Sequence, residues 1–289
     1  FRSGPVHPPE NTGATCLAVC CPQVPKRKDQ SKEQEPDMER APEQCILCGS
    51  AERSLLFRQG EWTVFKCTAC GLAFLDPRPS PDELSRYYER DYFDSHYDQG
   101  LRRESPEMGR RLSQEQHRIR FIRRYKKNGH LLDIGCGMGY FLYACSLQGF
   151  EVEGMDISDA STAYIRAELG LDVKTGTVDR IGYEDGRFDI ITMWHFLEHS
   201  PDPRAYLESA SRWLKDDGIL VVDVPNHEST DARNQWPRWT GWSLPYHFFH
   251  FTPATLAALL ARYGFTVIAE KKYLSESVKE RLERTVLLK

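Results

Sequence analysis

The stretch "HLLDIGCGMGYFL", His130 to Leu142, runs from an apolar segment into three glycines at alternate positions, Gly135, Gly137 and Gly139, and out again into an apolar, aromatic segment. Strand, tight turn and helix in that order make the first unit of a nucleotide-binding α/β sheet. Spacing then discriminates between ligands. A dinucleotide fingerprint reads G-x-G-x-x-G, which would put the third glycine at position 140, where the chain has Tyr140. The sequence instead spells D-x-G-x-G-x-G from Asp133, a turn bare of side chains whose backbone can approach a ligand other than a pyrophosphate. Asp133, at the strand end, is placed to accept hydrogen bonds from an ammonium group or from water attached to it. The next apolar run, "EVEGMD", ends in Asp156, suitably far along to chelate the two ribose hydroxyls of an adenosine.

Working outward, strand-like runs alternate with amphipathic segments: "FDIITMW", "GILVVDVP" and "FTVIAEKK" are separated by "PRAYLESASRWL" and "PATLAALLARYG". Alternation of this kind predicts a doubly wound, mostly parallel, Rossmann-like α/β sheet with helices on both faces. Its ligands would sit beyond the carboxyl ends of the strands. This domain is expected over residues 130–273, followed by a tail over 274–289.

Upstream, residues 1–41 combine prolines with the charged run "KRKDQSKEQEPDMER" and read as a disordered leader that buries too little apolar surface to offset the entropy of ordering. Residues 42–79 carry "CILCGS" and "CTACGL", two C-x-x-C knuckles formed by Cys45, Cys48, Cys67 and Cys70, each followed by a glycine. With strand-like segments between and after them, they predict a small zinc ribbon with its own core. Four thiolates close the coordination shell, so the Zn2+ would be structural; two disulfides are the alternative. Residues 80–129 form a connector: Ser80, Pro81 and Glu83 spell a helix start, Tyr87, Tyr88, Tyr92 and Phe93 give an aromatic surface or lid, and a helical pattern follows in "SQEQHRIRFIRRYKK".

The whole chain of 289 residues is 40% hydrophobic and carries a net charge of -4, which excludes a general electrostatic pull toward nucleic acid. No apolar run reaches the roughly 20 residues that cross a bilayer, and the chain reads as a cytoplasmic protein without a membrane partner.

"LLDIGCGMGYFL", "GMDIS", "GRFDIITMWHFLEHSPDP" and "YHFFHFTPATLAALLARYGF", taken in this order after the cysteine knuckles, resemble the class I S-adenosylmethionine-dependent methyltransferases. Within that class they are similar to the group that carries an N-terminal zinc ribbon and includes sugar methyltransferases. The resemblance implies that Asp133, Gly135, Cys136, Gly137 and Gly139 cradle the methionine end of S-adenosylmethionine. It implies further that Asp156 holds the ribose, Ile157 faces the adenine, Thr177, Val178 and Asp179 line the adenine edge, and Trp194 and His195 face the cofactor and the reaction centre.

Methyl transfer to a hydroxyl or an acidic carbon needs a group to take the displaced proton, most often a histidine. Two constellations offer one: "HFLEH" with Glu198 and His199, read as the base pair, and "HFFH" with His247 and His250, read as pocket wall or alternative base. Helix-start packing rivals both readings. The connection "NHESTDARNQWPRWTGWSLPYHFFH" is too long for a turn and has the composition of a substrate wall, with Trp236, Trp239 and Trp242 available to stack on a sugar or to pack inward. The resemblance thus implies methylation of a small-molecule acceptor such as a nucleotide-linked sugar. An RNA methyltransferase and a non-catalytic cofactor-binding protein are the alternatives.

Overall fold

The computed structural model describes residues 14–20, 43–79 and 100–272. In chain order the strands are β1 (Ala14–Cys20), β2 (Arg53–Gln59), β3 (Trp62–Cys67), β4 (Ala73–Leu75), β5 (His130–Ile134), β6 (Glu151–Asp156), β7 (Asp172–Thr175), β8 (Phe188–Trp194), β9 (Leu214–Pro225), β10 (Phe249–His250) and β11 (Thr266–Lys272). The helices are α1 (Pro106–Ile122), α2 (Tyr140–Ser146), α3 (Asp159–Tyr164, continued by a π-helical turn, Ile165–Leu169), α4 (Pro203–Trp213), α5 (Thr230–Gln235) and α6 (Pro253–Arg262).

The larger sheet runs β11-β1-β9-β8-β5-β6-β7, with β7 through β9 mutually parallel in that order and β1 antiparallel to both of its neighbours. Its central strands are predominantly apolar because both faces are covered, and the two-residue strand period sorts each side chain to one face. Leu131, Ile190 and Val221 pack with Ile119 and Ile122 of α1 and Phe141 and Leu142 of α2. Their neighbours Leu132, Ile191 and Leu220 face the other way, onto Leu207 and Trp213 of α4 and Leu256 and Leu260 of α6. Chain order reverses between β5 and β8, so the crevice for a ligand opens at the carboxyl ends of β5, β6 and β8.

Two expectations are overturned. Residues 14–20 are not a disordered leader: they form β1, hydrogen-bonded on one side to β9 and on the other to β11, with Leu17 and Ala18 buried on opposite faces. The polar composition of residues 1–41 as a whole masked "ATCLAVC", a seven-residue strand that pairs along both edges in a slot between two other strands. Nor does the cysteine-bearing module have a core of its own. β2, β3 and β4 form a second sheet, order β10-β4-β3-β2, whose last member comes from the "HFFH" segment. Ile46, Leu47, Leu72, Phe74 and Leu75 belong to the same buried cluster as Leu132 and Leu256. Arg262 of α6 donates to the Leu47 carbonyl, and the buried Arg78 spans Phe248 and Phe249 while donating to the Pro201 carbonyl at 2.9 Å.

The connector helix begins earlier than its periodicity predicts, because Ser105 accepts from Met108 N at 3.1 Å and Pro106 occupies the first turn. The rest of the leader, the helix start at Ser80, Pro81 and Glu83, the aromatic residues Tyr87, Tyr88, Tyr92 and Phe93, and the tail 274–289 lie outside the described residues. Among the described residues no helix is long and apolar enough to cross a membrane.

Because Leu17 is 2% exposed in the main cluster, Leu17→Ala should lower the unfolding free energy by about 2–5 kcal/mol, the range for truncating a buried leucine. Urea titration of the variant checks this, and an unchanged midpoint would place residues 14–20 outside the folded core.

Candidate functional site

The glycine turn is held by the neighbouring strand: Gly135 N and Cys136 N both donate to the Met155 carbonyl, at 2.8 and 3.2 Å. All three glycines have positive φ, 75°, 52° and 73°. A Cβ on Gly135 would lie 2.2 Å from the Phe196 ring, and one on Gly139 would lie 2.8 Å from Ile165. Two of the three glycines therefore make room for protein side chains, a correction to the reading in which the whole turn is bare for a ligand. Cys136 points into the core, where burial raises its thiol well above the ordinary range.

Gly137 is half-buried. Its N–H donates to Asp156 Oδ2 at 2.8 Å, and Ser158 N donates to Asp156 Oδ1 at 2.9 Å, so the acid ending β6 is clamped against the turn that follows β5. Each carboxylate oxygen keeps a further lone pair for an incoming hydroxyl. Burial raises the pKa of Asp156, opposed by the N–H groups of Ser158 and Gly137. Next to it Ile157 is 66% exposed, an apolar platform at the strand end. Thr177 donates to Asp179, and Val178 packs against the main core.

Two residues expected to face the cofactor are directed elsewhere. Asp133 is buried and accepts from the Thr192 hydroxyl at 2.6 Å; burial pushes its carboxyl up to about 7. It braces β5 against β8 and is not an open acceptor for an ammonium group. Trp194 is likewise buried, edge-on to Phe141 at 5.3 Å with the Arg118 guanidinium 4.8 Å above its ring, on the α1 and α2 side of the sheet.

At the end of β8 the chain takes a sharp turn. His195 has φ 50°, a left-handed conformation uncommon outside glycine, fixed by its N–H donating to the Asp223 carbonyl at 2.8 Å. Its side chain remains 35% exposed, with Nδ1 3.4 Å from Glu198 Oε1 and Nε2 4.0 Å from Asp223 Oδ2. Burial works to lower the His195 pKa, but Glu198 and Asp223 together raise it. Glu198 is only 1% exposed, in the single turn Leu197–His199.

The long connection after β9 returns to meet this turn. Phe248 N donates to the Glu198 carbonyl at 2.8 Å while Leu75 N donates to the Phe248 carbonyl at 2.9 Å. His247 thereby stacks edge-on to His199, ring centres 4.5 Å apart, and its Nδ1 lies 3.0 Å from the Gly241 carbonyl. Burial, reinforced by His199 and His250, lowers the His247 pKa well below the usual value. Of the four residues read from sequence as catalytic, Glu198, His199 and His247 converge. His250 does not: it sits in β10, 6.4 Å from His247, packed on Trp242, with burial holding its pKa near 3. Trp239 and Trp242 are buried, and Trp236, edge-on to Phe57 at 5.1 Å, stays 44% exposed.

The cysteine cluster closes as expected. Cys45 and Cys70 sulfurs stand 3.5 Å apart, as do those of Cys48 and Cys67, and all four lie within 4.8 Å of one another. A disulfide needs about 2.05 Å, whereas sulfurs around one zinc at about 2.3 Å stand about 3.8 Å apart, so the set fits a tetrahedral ion. The knuckles are closed by Gly49 N to Cys45 O and Gly71 N to Cys67 O, at 2.8 and 2.9 Å.

Sequence reasoning missed Asp223, Thr192, Phe196 and Tyr206. Only Asp223 left a trace, a carboxylate inside the apolar strand "GILVVDVP"; Phe196 and Tyr206, whose rings meet at 4.7 Å beside the glycine turn, read as ordinary core residues.

A parallel α/β sheet with a glycine turn after its first central strand and an acid ending the next defines a doubly wound, nucleoside-binding domain. The chain belongs to the methyltransferase-domain family, whose profile matches residues 104–270, more than half of its length. It is 26% identical over 138 residues to a probable S-adenosylmethionine-dependent methyltransferase of Mycolicibacterium smegmatis, covering 47% of this chain and 52% of that one. It is 31% identical over 102 residues to the ubiquinone biosynthesis O-methyltransferase of Pseudomonas aeruginosa, covering 33% and 44%. The chain thus spans about half the length of these relatives. Among solved structures, an S-adenosylmethionine-dependent methyltransferase from Archaeoglobus fulgidus aligns with TM-score 0.45 and 23% identity, covering 61% of this chain and 86% of that one.

Proposed function

We propose that the chain is an S-adenosylmethionine-dependent methyltransferase acting on a small-molecule acceptor, such as a nucleotide-linked sugar, with a structural zinc held by Cys45, Cys48, Cys67 and Cys70. The observation that carries the reading is the clamp between Gly137 N and Asp156 Oδ2 at 2.8 Å, which joins the glycine turn and the ribose acid across adjacent parallel strands at the switch point. Asp156 would receive the ribose hydroxyls, Ile157 would cover one face of the adenine, and Gly135 to Gly139 would carry the methionine end. When bound, S-adenosylmethionine supplies an electrophilic methyl group on sulfur.

The chain's own task is then to orient the acceptor and take its proton. Sequence spacing favoured the pair Glu198 and His199; the Glu198 carboxylate also lies 3.4 Å from His195 Nδ1. His195 is partly exposed at the carboxyl edge and flanked by two carboxylates, which orient an imidazole and raise its basicity, so it is the group we assign as proton acceptor. One of the relatives is named for O-methylation in ubiquinone biosynthesis, so quinone precursors join nucleotide sugars and RNA as acceptors to be tested with labelled methyl donor. Binding of the donor without turnover on any of them would favour a non-catalytic protein.

Asp156→Ala should weaken S-adenosylmethionine binding by about 1.5–3 kcal/mol, the range for hydrogen bonds to a charged group. Unchanged affinity in calorimetry would sink the cofactor assignment. His195→Ala should lower turnover roughly 10²-fold or more while leaving donor binding intact; full turnover would move the proton acceptor to His199. Cys67→Ser should release the ribbon's zinc and lower the thermal midpoint of the whole chain, because Cys67 is buried in the cluster that also holds Leu132 and Leu256. A separate low-temperature transition with the main midpoint unmoved would show that the ribbon unfolds alone.

A further inference from the structure

The edge beside His195 holds more buried ligating capacity than proton transfer uses. Glu198 is 1% exposed, and among the described residues neither of its oxygens accepts a hydrogen bond. His195 Nδ1 stands off at 3.4 Å, an ion-pair distance. A carboxylate taken out of water at this depth needs a compensating cation. Around it two imidazoles converge: one donor atom each from Glu198, His199 and His247 lie within 4.8 Å of one another.

His247 is oriented to serve as a ligand. Its Nδ1 lies 3.0 Å from the Gly241 carbonyl, and since a carbonyl only accepts, Nδ1 must carry the hydrogen. The lone pair is therefore on Nε2. A ring N–H tied to a backbone carbonyl while the opposite nitrogen binds an ion is the usual arrangement around protein-bound metals. The rest of the frame is rigid: the Phe248 N bond to the Glu198 carbonyl ties the two ligand-bearing segments together, and the left-handed turn at His195 brings Glu198 inward.

We infer that Glu198, His199 and His247 form a second metal site, distinct from the cysteine cluster, which binds a divalent transition-metal ion. Ligand atoms about 2.0–2.2 Å from one ion stand about 3–4 Å apart, so binding would draw the widest pair together by roughly 1–2 Å. Two imidazoles and one carboxylate suit zinc or iron(II); magnesium and calcium prefer oxygen ligands. Three protein ligands also leave positions open. In the methyltransferase reading proposed above, an open position would take an acceptor oxygen and lower its pKa, with His195 beside it to receive the proton. Only that use of the ion rests on the methyltransferase reading; the binding itself rests on the three side chains.

The test is elemental analysis of the full chain after equilibration with a buffered excess of free Zn2+ and removal of unbound ion. Two zinc ions per chain are expected in the wild type, falling to one in Glu198→Gln and in His247→Ala. Glu198→Gln keeps the side-chain shape, and calorimetry with S-adenosylmethionine reports whether each variant is folded. One zinc or fewer in the wild type overturns the site, as does a second zinc retained in Glu198→Gln. Should His247→Ala fail to fold, the wild-type count and Glu198→Gln decide the matter. Donor binding with a single zinc would remove the second site and leave the methyltransferase reading standing; two zinc ions without donor binding would do the reverse.

Discussion

Phe248 holds three parts of the molecule in register with two backbone groups. Its N–H reaches the Glu198 carbonyl and its C=O receives Leu75 N, so one peptide-length segment joins the edge of the large sheet to the cysteine-bearing sheet. Without these bonds β10 would have no reason to extend β4, and His247 would not lie across His199. The ring of Phe248 contributes as well, buried under the Arg78 guanidinium, which reaches on to the Pro201 carbonyl. The cysteine module is thus a wall of the site. Its zinc, if bound, would fix the position of β4 and through it the position of the histidines.

Charge burial is concentrated at the same edge. Glu198, Asp223 and Asp133 are all nearly inaccessible, and their burial is met in two ways. Asp133 is tied to a hydroxyl and pushed toward neutrality at about 7, whereas Asp223 and Glu198 share His195 between them. In a low-dielectric setting such groups are stabilised by one another more than by solvent, so the arrangement is specific and sensitive to the removal of any member. The histidines divide accordingly: His195 is held among carboxylates with a raised pKa, while burial lowers the pKa of His247 and His250.

In the methyltransferase reading proposed above, the donor half and the acceptor half of the crevice are built by different means. Around Gly137 and Asp156 the geometry follows from β5 and β6, neighbours in sequence and in the sheet, so a short motif suffices to build it. The acceptor half draws on residues 195–199 and 223, at the ends of the neighbouring strands β8 and β9, and on His247, brought in by the long connection after β9. A family resemblance therefore speaks clearly about the donor half and says little about the acceptor.

The sequence by itself determined the alternation of strands and helices from His130 onward, the acid at Asp156, and the four cysteines, because period, turn chemistry and ligand spacing are local properties of the chain. It could not show that "ATCLAVC" is a strand, since that segment is ordered by the open edges of β9 and β11, strands about 200 and about 250 residues away in the chain. Nor could it tell that Gly135 is bare for Phe196, that Asp133 turns to Thr192, or that Glu198 belongs with His195 and His247 while His250 does not. Those outcomes depend on which segments meet in space: β5 beside β8 for the first two, and the return of the connection after β9, with Phe248 bonded to Glu198, for the last.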